Sequence, residues 1–242
     1  MLNFNNLNLI DILARVFILL LVMPVHEFSH AAMAVRLGDD TPIRQGRYTL
    51  NPIAHLSLIG SFALLFLGFG WAKPVLVNPQ NLKSPKRDMA IISIMGPVAN
   101  ILAALVLIIA LRILIGVYSP DWLGGSFPFI QFAVMFSSAN AEMGLHGGFL
   151  TLAQILIFMI QINLLLAAFN LLPIPPLDGS KVLGAFLPNS FYRSMYRYQG
   201  VLTVVLLLLL FTGQLWGVIG SMISWMSGVL WRLTLPINFL FG

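Results

Sequence analysis

Apolar residues run along this chain in long blocks broken by short polar punctuation, without the strict alternation of a half-buried strand or the single apolar stripe of a soluble helix. The first block covers residues 10–37 and stops at Gly38-Asp39-Asp40-Thr41-Pro42. The second covers 88–115, the third runs over 149–172 and is closed by Pro173, Pro175 and Pro176, and 200–211 opens a fourth. The first three reach the roughly 20 residues needed to cross a hydrocarbon layer about 30 Å thick and are predicted as spanning helices. Two apolar stretches are too short for that. Residues 57–71, with Gly60, Gly68 and Gly70, read as a re-entrant or interfacial segment, and 127–136 as a piece resting on the membrane. Residues 44–52 are polar and turn-rich, with Arg47-Tyr48-Thr49-Leu50 as a short strand. Beyond Gly213, residues 215–235 are either a further span or the rest of a hairpin or interfacial helix, with Trp216, Trp225 and Trp231 as interfacial anchors. The expected fold is an all-α polytopic membrane protein. It has a three-span core and C-terminal span or spans, with a small membrane-associated β or re-entrant segment after the first span. Residues 1–242 form a single domain, with the core over about 10–183 and the C-terminal region over about 198–242.

Composition strengthens this reading: 59% of the residues are hydrophobic and 9% charged, against roughly 45–50% and 25% in a soluble domain. Mean hydropathy is +0.92. The formal charge of +5 raises nucleic acid as a partner, but the basic residues are scattered beside apolar spans, with no cluster that would track phosphates. They act instead as a topology signal. Arg36, Arg44, Arg47, Lys73, Lys83, Lys86 and Arg87 lie between the first and second spans, 116–148 has no Lys or Arg, and Lys181, Arg193 and Arg197 follow the third. One arrangement satisfies every loop if 57–71 does not cross: N-terminus outside, first and third spans descending to the cytoplasm, second and fourth returning. There is no cysteine, which excludes disulfides, thiol catalysis and thiolate zinc sites.

The candidate chemistry sits in the first span. His26-Glu27-Phe28-Ser29-His30 is an H-E-x-x-H pentad; on a helix His26 and His30 are one turn apart, so both imidazoles reach one Zn²⁺ while Glu27 leans beside the position a water would take. Charged groups at bilayer depth persist mainly where function holds them. No basic n-region or small-residue cleavage site marks the N-terminus as a signal peptide, and the first span, carrying the pentad, is expected to be retained. A catalytic zinc usually takes three protein ligands. Among the few acids Asp178 is the leading candidate for the third: it follows the third span in Asn170-Leu171-Leu172-Pro173-Ile174-Pro175-Pro176-Leu177-Asp178-Gly179, on the side where the topology puts the pentad. An N-cap or turn aspartate is the competing reading. His55 is either a loop histidine or a hydrogen-bonding group near the site, and His146 lies in the presumed external loop. Gly96 in Gly96-Pro97-Val98-Ala99-Asn100 reads as helix packing, whereas Asn100, Asn163 and Asn170 are amides that need partners once buried.

Taken together, the pentad, Asn51-Pro52-Ile53-Ala54-His55, Gly96 to Asn100 and Asn170 to Gly179 make the chain resemble the site-2 protease family of intramembrane zinc metalloproteases, the M50 type, in a compact form without a PDZ or CBS module. The resemblance covers the first span to about residue 183. It implies one zinc per chain held by His26, His30 and Asp178, Glu27 as catalytic acid and base, and Asn100 and Asn170 lining the cleft, with His55 as a further substrate-side residue. It also implies that the stretch from Arg44 onward supplies membrane-dipping strands that present an extended substrate.

The expected activity is peptide-bond hydrolysis at membrane depth, the reaction of regulated intramembrane proteolysis. Zinc acidifies a water, and Glu27 takes its proton and later passes it to the leaving nitrogen. Expected partners are the lipid bilayer and membrane proteins with a single transmembrane segment, already shortened on the outer side, with no nucleic acid. The expected location is a prokaryotic plasma membrane, multi-pass, with the site toward the cytoplasm. The competing class is a non-proteolytic membrane zinc protein, either a carrier or an inactive relative that binds helices.

Overall fold

The first apolar block folds as helix α1 (Arg15–Arg36), 22 residues and so about 33 Å long. The computed structural model describes residues 15–67, 70–118, 129, 147–188, 190, 194–195 and 197–240. Within α1, Ile18–Val22 is a π turn, closed by the Met23 N–H donating to the Ile18 carbonyl. Pro24 follows directly and has no N–H to give the carbonyl four residues back, which favours a widened turn just before the pentad. The helix ends where Gly38 reverses the chain at φ +105°.

Short helices α2 (Thr41–Arg44) and α3 (Pro52–His55) come next, followed by α4 (Leu58–Leu67). The strand expected at Arg47-Tyr48-Thr49-Leu50 is not formed, and the described residues contain no β-strand. Polar side chains take the backbone groups that a sheet would have used. The Thr49 hydroxyl accepts from the Asn51 N–H, Asn51 Oδ1 caps α3 by accepting from the Ile53 N–H, and the His55 Nε2–H donates to the Thr49 carbonyl at 2.7 Å. The membrane-associated β segment is thereby corrected to helix and turn.

At 10 residues α4 is about 15 Å long, half a crossing. After it the chain comes back to where it left: the Lys73 N–H donates to the His55 carbonyl at 2.7 Å. Gly60 and Gly70 permit this, since a Cβ on Gly60 would strike the Trp71 backbone and one on Gly70 the Gly60 carbonyl. Arg15, buried at the start of α1, donates to the Leu64 and Leu65 carbonyls near the end of α4, at 3.4 and 2.5 Å.

Helix α5 (Pro85–Tyr118) follows with 34 residues, about 51 Å and longer than the hydrocarbon layer. After α6 (Gly147–Asn170) come α7 (Asp178–Phe186), α8 (Gln199–Phe211) and α9 (Trp216–Leu233). Among the described residues three helices are long and apolar enough to cross a membrane, α1, α5 and α6, at the places the apolar blocks predict. The α8–α9 pair, bent by 80° at Gly213 (φ +82°), makes a fourth if it is one broken span. Residues 10–14 and His146 lie outside the described residues, as does 127–136 apart from Phe129.

The chain divides into two units, one of residues 1–100 and 170–206 and the other of 101–169 and 207–242. In the first, Ala34, Leu82 and Ile92 form a buried cluster, with Met33, Val77 and Met89 packed on it. In the second, the buried Arg112 guanidinium donates at 2.7 Å to Thr234 Oγ1, Asn238 Oδ1 and the Trp231 carbonyl, and lies 3.8 Å from the Trp231 ring centre. Val106, Leu208, Phe211 and Trp225 are exposed. In a soluble protein such apolar surface would be a liability, whereas lipid tails solvate it as well as a protein core does.

Candidate metal centre

Helical periodicity places His26 and His30 on one face of α1, with Nε2 atoms 3.1 Å apart. Asp178, at the first position of α7, brings its Oδ2 to 3.3 Å from His26 Nε2 and 3.1 Å from His30 Nε2. All three residues are buried. The turn that delivers Asp178 depends on Gly179: a Cβ there would strike the Leu171 and Leu172 carbonyls at the end of the third span.

Three ligand atoms converging at 3.1–3.3 Å form a group that could hold a metal ion. Their spacing fits zinc, because bonds of 2.0–2.1 Å in a tetrahedral site put neighbouring ligand atoms about 3.3 Å apart. Two imidazoles and a carboxylate are a common catalytic donor set for this metal. The His30 tautomer suits the task, since its Nδ1–H donates to the Ile92 carbonyl at 2.8 Å and leaves Nε2 free. Burial works against charge on Asp178, but His30, His26 and Lys181 outweigh it and hold the carboxyl well below the ordinary carboxylate range. Its other oxygen, Oδ1, faces Lys181 Nζ at 3.4 Å.

A cleft of about 240 Å³ opens on this cluster, and Glu27, Val75, Ser93 and Asn170 are among the residues that line it. Glu27 Oε2 accepts from the Val75 N–H at 3.1 Å. Thus His26, Glu27, His30, Asp178 and Asn170 share one cleft. Asn100 and His55 are not on its wall. His55 is buried, and its Nε2–H donates to the Thr49 carbonyl. Asn100 is fully buried one turn beyond Gly96, and neither of its amide atoms has a partner among the described residues. Asn163 donates to the Met159 carbonyl of its own helix.

Two residues of the site escaped sequence reasoning. A Cβ on Gly96 would lie 2.5 Å from both His26 Cε1 and His30 Nε2, so Gly96 lets the α5 backbone press against the paired imidazoles and is more than a helix-packing residue. The Gly96-Pro97 dipeptide was its only signal. Val75 carries none, because it contributes a backbone N–H that any residue except proline would supply.

Comparisons with known proteins extend over most of the chain. The model of "Peptidase family M50" matches residues 14–213. Two bacterial relatives are each named "Putative zinc metalloprotease". YwhC of Bacillus subtilis is 34% identical over 211 residues, 87% of this chain and 83% of that protein. Rip2 of Mycobacterium tuberculosis is 27% identical over 220 residues, 86% of this chain and 72% of that protein. No solved structure matches the chain significantly.

Proposed function

The chain belongs to peptidase family M50, and from that premise we propose that this integral membrane protein is an intramembrane zinc metalloendopeptidase that cuts other membrane proteins within or near their transmembrane segments. The observation that carries the proposal is the convergence of His26 Nε2, His30 Nε2 and Asp178 Oδ2 in one buried cluster, with Glu27 in the same cleft.

A zinc ion held by His26, His30 and Asp178 would supply Lewis acidity, polarising the scissile carbonyl and acidifying the attacking water. Glu27, in the same cleft, would serve as general base toward the attacking water and as general acid toward the leaving amide nitrogen. The Ile92 carbonyl keeps His30 in the ligating tautomer. Asn170, on the cleft wall, holds the substrate backbone through its amide, and Asn100 offers a further amide deeper in the second span. Burial of the cluster excludes bulk water and strengthens these electrostatic contacts.

A transmembrane helix hides its carbonyls in its own hydrogen bonds, so the substrate must unwind locally or be poor in helix. The burial of the cleft supports, as substrates, single-span proteins already trimmed on the outer side. The basic loops support an N-terminus outside and a site near the cytoplasmic face. Bacterial relatives support a prokaryotic plasma membrane as its location.

The test pairs metal content with cleavage in detergent-purified protein. Glu27→Gln should abolish cleavage of a transmembrane reporter and keep about one zinc per chain, and Asp178→Asn should lose most of the zinc. Continued cleavage by Glu27→Gln would sink the assigned chemistry. Zinc retained by Asp178→Asn would remove Asp178 from the ligands.

A further inference from the structure

Among the described residues the Glu27 carboxylate has one hydrogen bond, from the Val75 peptide N–H at 3.1 Å. Val75 sits in the middle of residues 73–78, which form neither helix nor strand and are clamped at both ends. At one end the Lys73 N–H donates to the His55 carbonyl at 2.7 Å. At the other, the Asn78 N–H donates to Asp39 Oδ2, also at 2.7 Å. Asp39 is fully buried, and its second oxygen accepts from the Thr41 N–H (3.1 Å), the Thr41 hydroxyl (2.5 Å) and Asn81 Nδ2 (2.7 Å). Val77 packs on the cluster of Ala34, Leu82 and Ile92, and Pro74 and Pro79 restrict the backbone dihedrals beside both clamps.

Asp39 stands just past the end of α1, the helix that carries Glu27. One buried carboxylate therefore joins the strap to the helix whose glutamate the strap touches. With Oε2 held by a fixed N–H, the Glu27 carboxyl cannot turn freely and Oε1 remains to take a proton. Small losses of such alignment are expensive, because proton transfer needs the base within hydrogen-bond reach of the water.

We infer that residues 73–78 are a positioning strap for Glu27, and that Asp39, which touches neither metal ligand nor cleft, is a positioning residue for peptide-bond hydrolysis that acts through the Val75 N–H. The inference rests on the protease reading, and its test separates the two. The full chain is assayed on a reporter that the wild type cleaves and Glu27→Gln does not, which establishes the reading before the strap is touched. Asp39→Asn replaces an acceptor-only group by an amide, and Val75→Pro removes the N–H from a residue outside any helix or strand.

Each should lower kcat about 10- to 100-fold, the range for disturbed supporting contacts, with KM within about threefold and zinc content unchanged. Gln80→Ala, on the exposed rim beside the strap, should match the wild type. The double variant Asp39→Asn/Val75→Pro should be no slower than Val75→Pro alone, because both act through one hydrogen bond. Unchanged kcat in either single variant, or losses that multiply in the double, would overturn the inference. Amide hydrogen exchange over 73–78 gives a readout that needs no substrate and still decides if Val75→Pro does not fold. Glu27→Ala and Asp39→Asn should each speed it, and exchange unmoved by both would equally overturn the strap. A wild type that cleaves no reporter would count against the protease reading, leaving exchange to decide the strap.

Discussion

Gly96 shows how a single hydrogen atom in place of a methyl governs the candidate metal centre. In a helix interior Gly→Ala ordinarily stabilises by about 1 kcal/mol. Here the new methyl would stand 2.5 Å from the two imidazoles, and what must yield is the pair of rings that present Nε2. Gly96→Ala should therefore weaken zinc binding at least about tenfold, the scale on which disturbed supporting contacts act, and leave the melting temperature of metal-free protein near that of the wild type. Chelator competition on the purified variant measures this, and wild-type affinity would mean that the rings shift without loss of ligand geometry.

Between elements, two buried charged groups tie segments that apolar packing alone would leave loose. Burial alone would raise the Asp39 carboxyl, but donors from Thr41, Asn81 and Asn78 outweigh it and hold the group below its ordinary value. A group with a depressed folded pKa contributes stability that is complete above the unfolded value and lost as pH falls through the folded one. At pH 7 the wild type should be more stable than Asp39→Asn by about 1–3 kcal/mol, and the difference should shrink as pH falls below about 4. Parallel melting curves across that range would show that the carboxylate's charge is not the source. Arg112 plays the corresponding part in the other unit, joining α5 to the end of α9 through Thr234, Trp231 and Asn238. Arg112→Met keeps much of the bulk and loses three hydrogen bonds. It should cost about 2–4 kcal/mol with zinc content unchanged, and loss of zinc in this variant would contradict a local role.

For the whole molecule, the absence of cysteine makes topology directly measurable, because a single introduced thiol has no competitor. Gln80→Cys should react with an impermeant maleimide only after the membrane is opened, whereas a thiol placed within 116–148 should react in intact cells. Labelling of Gln80→Cys from outside would invert the proposed orientation. The helices α1, α5 and α6, long and apolar enough to cross a membrane, were legible in sequence because crossing a bilayer requires about 20 apolar residues in a row, a local property that needs no knowledge of neighbours. The pentad was legible for the same reason, its two histidines being brought together by helix geometry alone.

The sequence by itself thus determined a multi-pass helical protein with a two-histidine metal motif near one end of its first span. The strand expected at residues 47–50 failed because the competing hydrogen bonds of Thr49, Asn51 and His55 are specific to that turn and invisible to propensity. Only the tertiary structure decided that Asp178 meets His26 and His30, that Gly96 lies against both rings, and that a peptide N–H at Val75 holds Glu27. Each of these joins positions about fifty residues or more apart through distances of a few ångströms. Such contacts depend on where the backbone returns, and composition and periodicity carry no record of that.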